Sequence, residues 1–167
     1  MTTVTLLTGQ RIVVRPIRAR DKALLCRLHA SLSPESQYRR FLSTVPALSA
    51  GMQAYLTEVD HHDHEALFAF DAQSHDPVAT ARFIRQAPGS DTAEFAVTVA
   101  DAWQYHGVGT ALFAMLVERA RQEGIHHFVG DVLTQNAAMH HLMRHLGHPT
   151  VCDRDAGVET LVVDLPA

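Results

Sequence analysis

The chain has 167 residues, 47% of them hydrophobic and 19% charged, which suits one domain with a real core and excludes wholesale disorder. The net charge of -4 with neutral histidine excludes the concentrated basic face of a nucleic-acid binder. No apolar run approaches membrane-spanning length and no charged leader precedes an apolar core, so a soluble, cytoplasmic protein without membrane partners is expected.

Residues 11–17, R-I-V-V-R-P-I, are β-branched and read as the first strand, with Pro16 assigning it to a sheet edge. Asp21 is placed to cap a helix carrying Ala23, Leu24, Leu25, Leu28 and Leu32 at helical spacing. Ser33-Pro34 is a strong helix start for a short helix with Tyr38, Arg39, Arg40, Phe41 and Leu42, ended by Val45-Pro46. Ser49 opens another, with Met52, Tyr55, Leu56 and Val59 on one side. Residues 60–64, D-H-H-D-H, lack periodicity and read as a loop.

Three strands follow at residues 65–70, 77–85 and 94–99, joined by the turn-rich stretches D-A-Q-S-H-D and P-G-S-D, which predicts an antiparallel meander. A helix is expected from about Gly107 to Glu123, with Gly124 as its C-terminal glycine. Residues 128–133 read as a strand. Residues 136–146 read as a helix with Met139, Leu142, Met143 and Leu146 as its apolar stripe, stopped by Gly147. Residues 150–152 and 160–165 make two last strands around a turn at 153–157. The result is a mixed α/β (α+β) domain over residues 1–167: a central, mostly antiparallel sheet of about six to seven strands with helices on both faces.

Between the third meander strand and the helix lies Gln104-Tyr105-His106-Gly107-Val108-Gly109-Thr110-Ala111. A glycine turn there exposes backbone N–H groups at the positive end of a helix dipole, a seat for phosphate. A dinucleotide-binding sheet would carry such a turn after its first strand, and a P-loop would need G-K-[ST] after the glycines. Neither holds here.

Gln104-x-x-Gly107-x-Gly109 resembles the acetyl-CoA motif [QR]-x-x-G-x-[GA] of the GNAT superfamily of N-acetyltransferases. The strand before it, the amphipathic helix after it, Asn136 at a helix start and Leu146-Gly147 at its end extend the likeness over residues 92–148. The runs R-P-I-R-A-R-D, L-S-P-E-S-Q-Y-R-R-F and A-E-F-A-V-T-V-A-D-A-W-Q-Y-H-G-V-G are similar to the GNAT domain of Pat-type bacterial protein lysine acetyltransferases. The resemblance implies the GNAT fold, acetyl-CoA as cosubstrate and an amine acceptor, a protein lysine. It implies cofactor roles for Gln104, Val108, Gly109, Thr110 and Ala111, with the backbone of Tyr105, His106 and Gly107 completing the pyrophosphate cradle. It implies main-chain bonds from Val97 and Val99 to the pantetheine arm, which Asn136 also contacts, and places a catalytic glutamate at Glu94. On residues alone, Glu94 reads as a strand-start glutamate facing solvent; with the resemblance, it reads as the catalytic base. Burial there would raise its pKa and strengthen it as a base.

Acetyl transfer also needs an oxyanion donor, expected from a backbone N–H of this strand. Many superfamily members use a tyrosine on the last helix as acid to the thiolate, and alignment puts Met143 there, leaving water, His140 and Tyr38 as alternatives. A small-molecule amine acceptor and a non-catalytic acyl-CoA-binding module are the competing functions. His61-His62-x-His64 and the His141/His145 pair have metal-like spacing, but neither comes with acidic or cysteine partners arranged as a site, so surface histidines are expected and no metal. Cys26 and Cys152 read as free thiols, and Lys22 is the only lysine. Trp103 is expected to pack before the turn, Tyr38, Arg39 and Arg40 to shape the acceptor cleft or a solvated face, and Arg119, Arg121 and Arg144 to pair at the surface or reach the CoA 3′-phosphate. The assembly expected is a monomer or homodimer.

Overall fold

Eight strands form one sheet in the order β1-β2-β3-β4-β5-β6-β8-β7. A computed structural model of the chain describes residues 1–166. The strands are β1 (Thr2–Thr5), β2 (Arg11–Pro16), β3 (His64–Asp71), β4 (Pro77–Arg85), β5 (Thr92–Val99), β6 (His127–Leu133), β7 (Thr150–Asp155) and β8 (Val158–Asp164). The helices are α1 (Lys22–Ala30), α2 (Pro34–Phe41), α3 (Ala50–Thr57), α4 (Val108–Gln122) and α5 (Ala137–Arg144). All neighbouring strands pair antiparallel except β5 and β6.

The sheet is one strand larger than the sequence reading, because T-T-V-T at the start pairs with β2. The expected first strand is therefore interior. Pro16 is tolerated because β1 reaches only to Val14, so at Pro16 the strand has β3 alone beside it.

Two cores sandwich the sheet. One joins α4 and α5 to the sheet through Ala81, Phe83, Leu112, Phe113, Leu116, Phe128, Leu142 and Met143, and three rings, Phe95, Phe113 and Phe128, meet within it at centroid distances of 5.1–5.9 Å. The other holds α1 and α3 through Leu25, Leu28, Leu56, Phe68 and Phe70. Trp103 touches both. Strands β3 and β4 carry apolar residues on both faces, and nearly every position is buried.

The helix starts follow the sequence. Ser33 and Ser49 each accept an N–H three residues on, from Ser36 and Met52, at 3.2 Å. Asp21 stands at the N-cap of α1 but makes no cap bond: its carboxylate accepts both Arg15 Nη groups, at 2.6 and 2.9 Å, and the Arg18 N–H. Helix α2 ends not at Val45-Pro46 but at Leu42, which turns left-handed at φ 51°. The β7–β8 hairpin turns on Ala156 and Gly157, both at positive φ, tighter than the five residues expected.

Candidate functional site

The parallel pairing of β5 with β6 lasts for only three residues, Thr92 to Glu94 against His127 to Val129. Beyond it the two strands part. Ala100 N donates to Val78 O, which fixes the alternation on β5: even-numbered residues bond to β4, and the backbone groups of Val97 and Val99 point into the gap. Of these, the Val99 carbonyl accepts from Gln104 Nε2 at 3.2 Å. Gly130 on β6 lines the same gap, and a Cβ there would sit 2.8 Å from the Phe95 ring.

Two cavities meet across the gap. The first, about 410 Å³, is walled by Val97, Val99, Gln104, Tyr105, Gly107, Gly109, Thr110 and the first turns of α5 from Asn136. The second, about 450 Å³, is walled by Glu94, Phe95, Val97, Gly130, Asp131 and the end of α2. Arg39, Arg40, Val97, Asn136 and Met139 belong to both walls.

The first cavity ends on the start of α4. Gly107 is its N-cap, at φ 87°, a conformation that strains a side-chain-bearing residue, and no side chain caps the helix. The first N–H bonded inside the helix is that of Ala111, to Gly107 O, so Val108, Gly109 and Thr110 present theirs outward at the positive helix end. This is an uncapped anion seat. Gln104 locks it to α2 by donating to Ser36 Oγ at 3.1 Å, and Asp101 accepts the Ser33 N–H at 3.2 Å. Burial alone would push the Asp101 carboxyl up, but hydrogen bonds from Ser33 and Ser36 and the Arg39 charge outweigh it and hold it below the usual range.

Not every expected cofactor residue touches the cavity with its side chain. Val108 is fully buried in the core, and His106 and Ala111 lie off the cavity wall, so of these three only backbone reaches the seat. His106 Nδ1 is buried with no hydrogen-bond partner among the described residues. Asn136 is buried at the N-cap of α5, where Oδ1 accepts Met139 N at 3.2 Å, and its side-chain NH₂ has no acceptor among the described residues.

Glu94 lies in the second cavity and is exposed, so the burial that would have strengthened it as a base is not present. Met143 is 0% exposed, packed in the core, and cannot stand where a thiolate acid would act. Tyr38 and His140 line neither cavity. His140 Nε2 is instead 3.3 Å from Leu133 O and 3.6 Å from Glu159 Oε2.

Several of the remaining charged residues form ion pairs, and Arg144 is in none among the described residues. Arg119 bonds Glu65, a buried carboxylate that also meets His61, and Arg121 meets Glu118 at 3.6 Å. The three clustered histidines diverge, His61 to Glu65, His62 to Glu123 and His64 to Arg82. His141 and His145 meet edge to face, 4.4 Å between centroids. Cys26 and Cys152 are free. No helix among the described residues is long and apolar enough to cross a membrane.

The sequence reading missed Arg82. It is buried on β4, donating to Leu56 O and His64 Nε2, both at 3.1 Å. An arginine in the middle of the otherwise apolar P-V-A-T-A-R-F-I-R was the available signal.

Comparison with known proteins agrees with this geometry. The model of the Acetyltransferase (GNAT) family matches residues 29–148. The chain is 35% identical over 159 residues to the acetyltransferase Pat of Mycolicibacterium smegmatis, covering 95% of this chain and 47% of that protein, so it spans about half of that relative's length. It is 27% identical to the acetyltransferase PA5475 of Pseudomonas aeruginosa, covering 93% of this chain and 83% of that one. The crystal structure of the GNAT domain of S. lividans PAT superposes with a TM-score of 0.89 at 32% identity, covering 98% of this chain and 96% of that domain.

Proposed function

This chain belongs to the GNAT acetyltransferase family, and we propose that it moves an acetyl group from acetyl-CoA to a primary amine, the side chain of a protein lysine. The observation that carries this reading is the gap between β5 and β6, where one cavity ends on an uncapped helix start and the other on Glu94. In this reading the pyrophosphate caps α4 at the N–H groups of Val108, Gly109 and Thr110. The pantetheine arm lies along β5 as a substitute strand, bonded by Val97 and by the free N–H of Val99, with the Asn136 amide beside it. The thioester then stands where the two cavities meet.

The acceptor enters on the Glu94 side. A lysine ammonium titrates near ~10.4, so little free amine exists at neutral pH. Glu94 takes the proton, directly or through a water; its exposure suits a water relay. The amine nitrogen attacks the thioester carbon, a backbone N–H of β5 holds the oxyanion, the C–S bond breaks and CoA leaves as thiolate. A thiol with a pKa of about 8.5 leaves without a dedicated acid. With Met143 in the core and Tyr38 and His140 outside both cavities, water is the proton source best supported.

The likeness to Pat-type GNAT domains supports a protein lysine over a small amine. Glu94→Gln tests the mechanism: acetyl-CoA affinity by calorimetry stays within about twofold while turnover falls roughly 10²–10⁴-fold. Unchanged turnover removes Glu94 from the reaction. Turnover on polyamines, amino acids or aminoglycosides and on no protein substrate replaces the acceptor class.

A further inference from the structure

Two arginines stand at the meeting of the two cavities without a carboxylate partner among the described residues, Arg40 on the shared wall and Arg82 behind it. Arg82 is 3% exposed, and its two hydrogen-bond partners, Leu56 O and His64 Nε2, are both neutral acceptors. Arg40, on the last turn of α2, lies over the Phe41 ring at 4.8 Å and makes no hydrogen bond or ion pair among the described residues. Buried arginines are ordinarily paired with carboxylates, because an unpaired buried charge is costly. The other arginines with little side-chain exposure follow that rule: Arg15 has Asp21 and Arg85 has Asp63. Burial pulls Arg40 down to about 10, and burial together with the neighbouring Arg40 charge pulls Arg82 down to about 9. Both still carry their charge at neutral pH.

Arg40 lines both main cavities and a third, small one of about 20 Å³, room for one water. Thr80, Arg82 and Thr98 share the wall of the small cavity, and Thr98 also faces the first large one. An anion at the junction would thus meet Arg40 directly, with a threonine hydroxyl beside it and Arg82 behind.

We propose that Arg40 and Arg82 form a carboxylate site, so that a substrate of this chain carries a carboxylate close to the reacting carbonyl. The inference rests on the acyltransferase reading and names a substrate class for the same gap. The carboxylate has two possible sources: the far end of a dicarboxylic acyl group on CoA, such as succinyl, or an acidic side chain next to the acceptor lysine. The bonds made and broken stay the same in either case: C–N forms, C–S breaks, the thiolate leaves and the ammonium proton goes to the base.

Two substrate pairs distinguish the sources. One compares succinyl-CoA with acetyl-CoA on a neutral lysine peptide. The other compares, with acetyl-CoA, two peptides that differ only in an Asp or Asn beside the lysine. In one pair kcat/KM favours the charged member at least tenfold, Arg40→Gln brings the ratio to near one, and Arg40→Lys restores part of it. Ratios within twofold in both pairs, or a preference that survives Arg40→Gln, overturn the proposal while leaving the acyltransferase reading intact. Absence of turnover on any amine overturns the acyltransferase reading instead. The carboxylate site is then decided by calorimetry: tighter binding of one charged member, lost in Arg40→Gln, supports it, and equal affinities across both pairs overturn it.

Discussion

The sheet behaves differently on the two sides of β4. Toward β3, seven residue pairs from His64 to Phe70, with one bulge between Ala69 and Phe70, hold the two strands together, almost every position is buried, and apolar side chains fill both faces. Toward β6, pairing reaches β5 and then stops after three residues, leaving half-buried positions and unpaired backbone. The closed side is where stability resides. The open side gives up ladder hydrogen bonds to leave an edge that accepts an extended ligand. The contrast teaches that the candidate site is a local failure of sheet pairing, held apart by an intact sheet on one flank and the β6–β8 pairing on the other.

The strongest way to break the contrast is on the closed side. Phe68 is 0% exposed, with its ring 4.6 Å from that of Phe70. Phe68→Ala loses about 3–5 kcal/mol in denaturant unfolding. Loss below 1 kcal/mol would mean that β3 is not the structural flank.

Gly130 on β6 faces the Phe95 ring across the gap. Gly130→Ala puts a methyl 2.8 Å from a Phe95 ring already packed against Phe113 and Phe128. A loss of about 1–3 kcal/mol in thermal unfolding is expected, with weaker acetyl-CoA binding as Phe95 is displaced.

His64 links Arg82 to the closed side. Burial first, then the Arg82 charge, lower its pKa to about 4, with Asp60 opposing. The neutral ring is the one the fold favours, since Nε2 accepts from Arg82. Its contribution is therefore complete above the ordinary histidine value of about 6.5 and is lost as pH falls from there toward 4. After discounting for the partly solvated ring, roughly 1–2 kcal/mol should disappear over that window. His64→Gln should flatten the slope of stability against pH.

Gly109 gives the smallest effect and the cleanest separation. A Cβ there meets only Val99 Cγ2, at 3.6 Å, so Gly109→Ala leaves unfolding unchanged within about 0.5 kcal/mol. Acetyl-CoA affinity falls several-fold because a methyl stands at the start of α4, where the pyrophosphate approaches the backbone.

Much of this was legible before any coordinates. The meander, the glycine turn and the caps Ser33, Ser49 and Asn136 follow from short-range patterns, whereas Val97 and Val99 came from the family resemblance, and the β4 register turns their backbone groups into the gap. What escaped the sequence depends on partners distant in the chain. T-T-V-T has no signal of its own and becomes a strand only against β2. Asp21 is a helix cap by position but answers to Arg15 and Arg18. Met143 occupies a plausible catalytic slot in an alignment and is turned into the core by the packing of α5 on α4. Arg82 is a single charge in an apolar strand by sequence, and only the fold puts it on the same small cavity as Arg40.

The central claim is that the free edge of β5 receives the cofactor. Backbone hydrogen exchange with and without acetyl-CoA tests it most directly. Binding should slow exchange at Val97 and Val99 and at Val108, Gly109 and Thr110, with little change along β2 and β3. Binding that protects other strands and leaves these five amides unchanged would contradict the account.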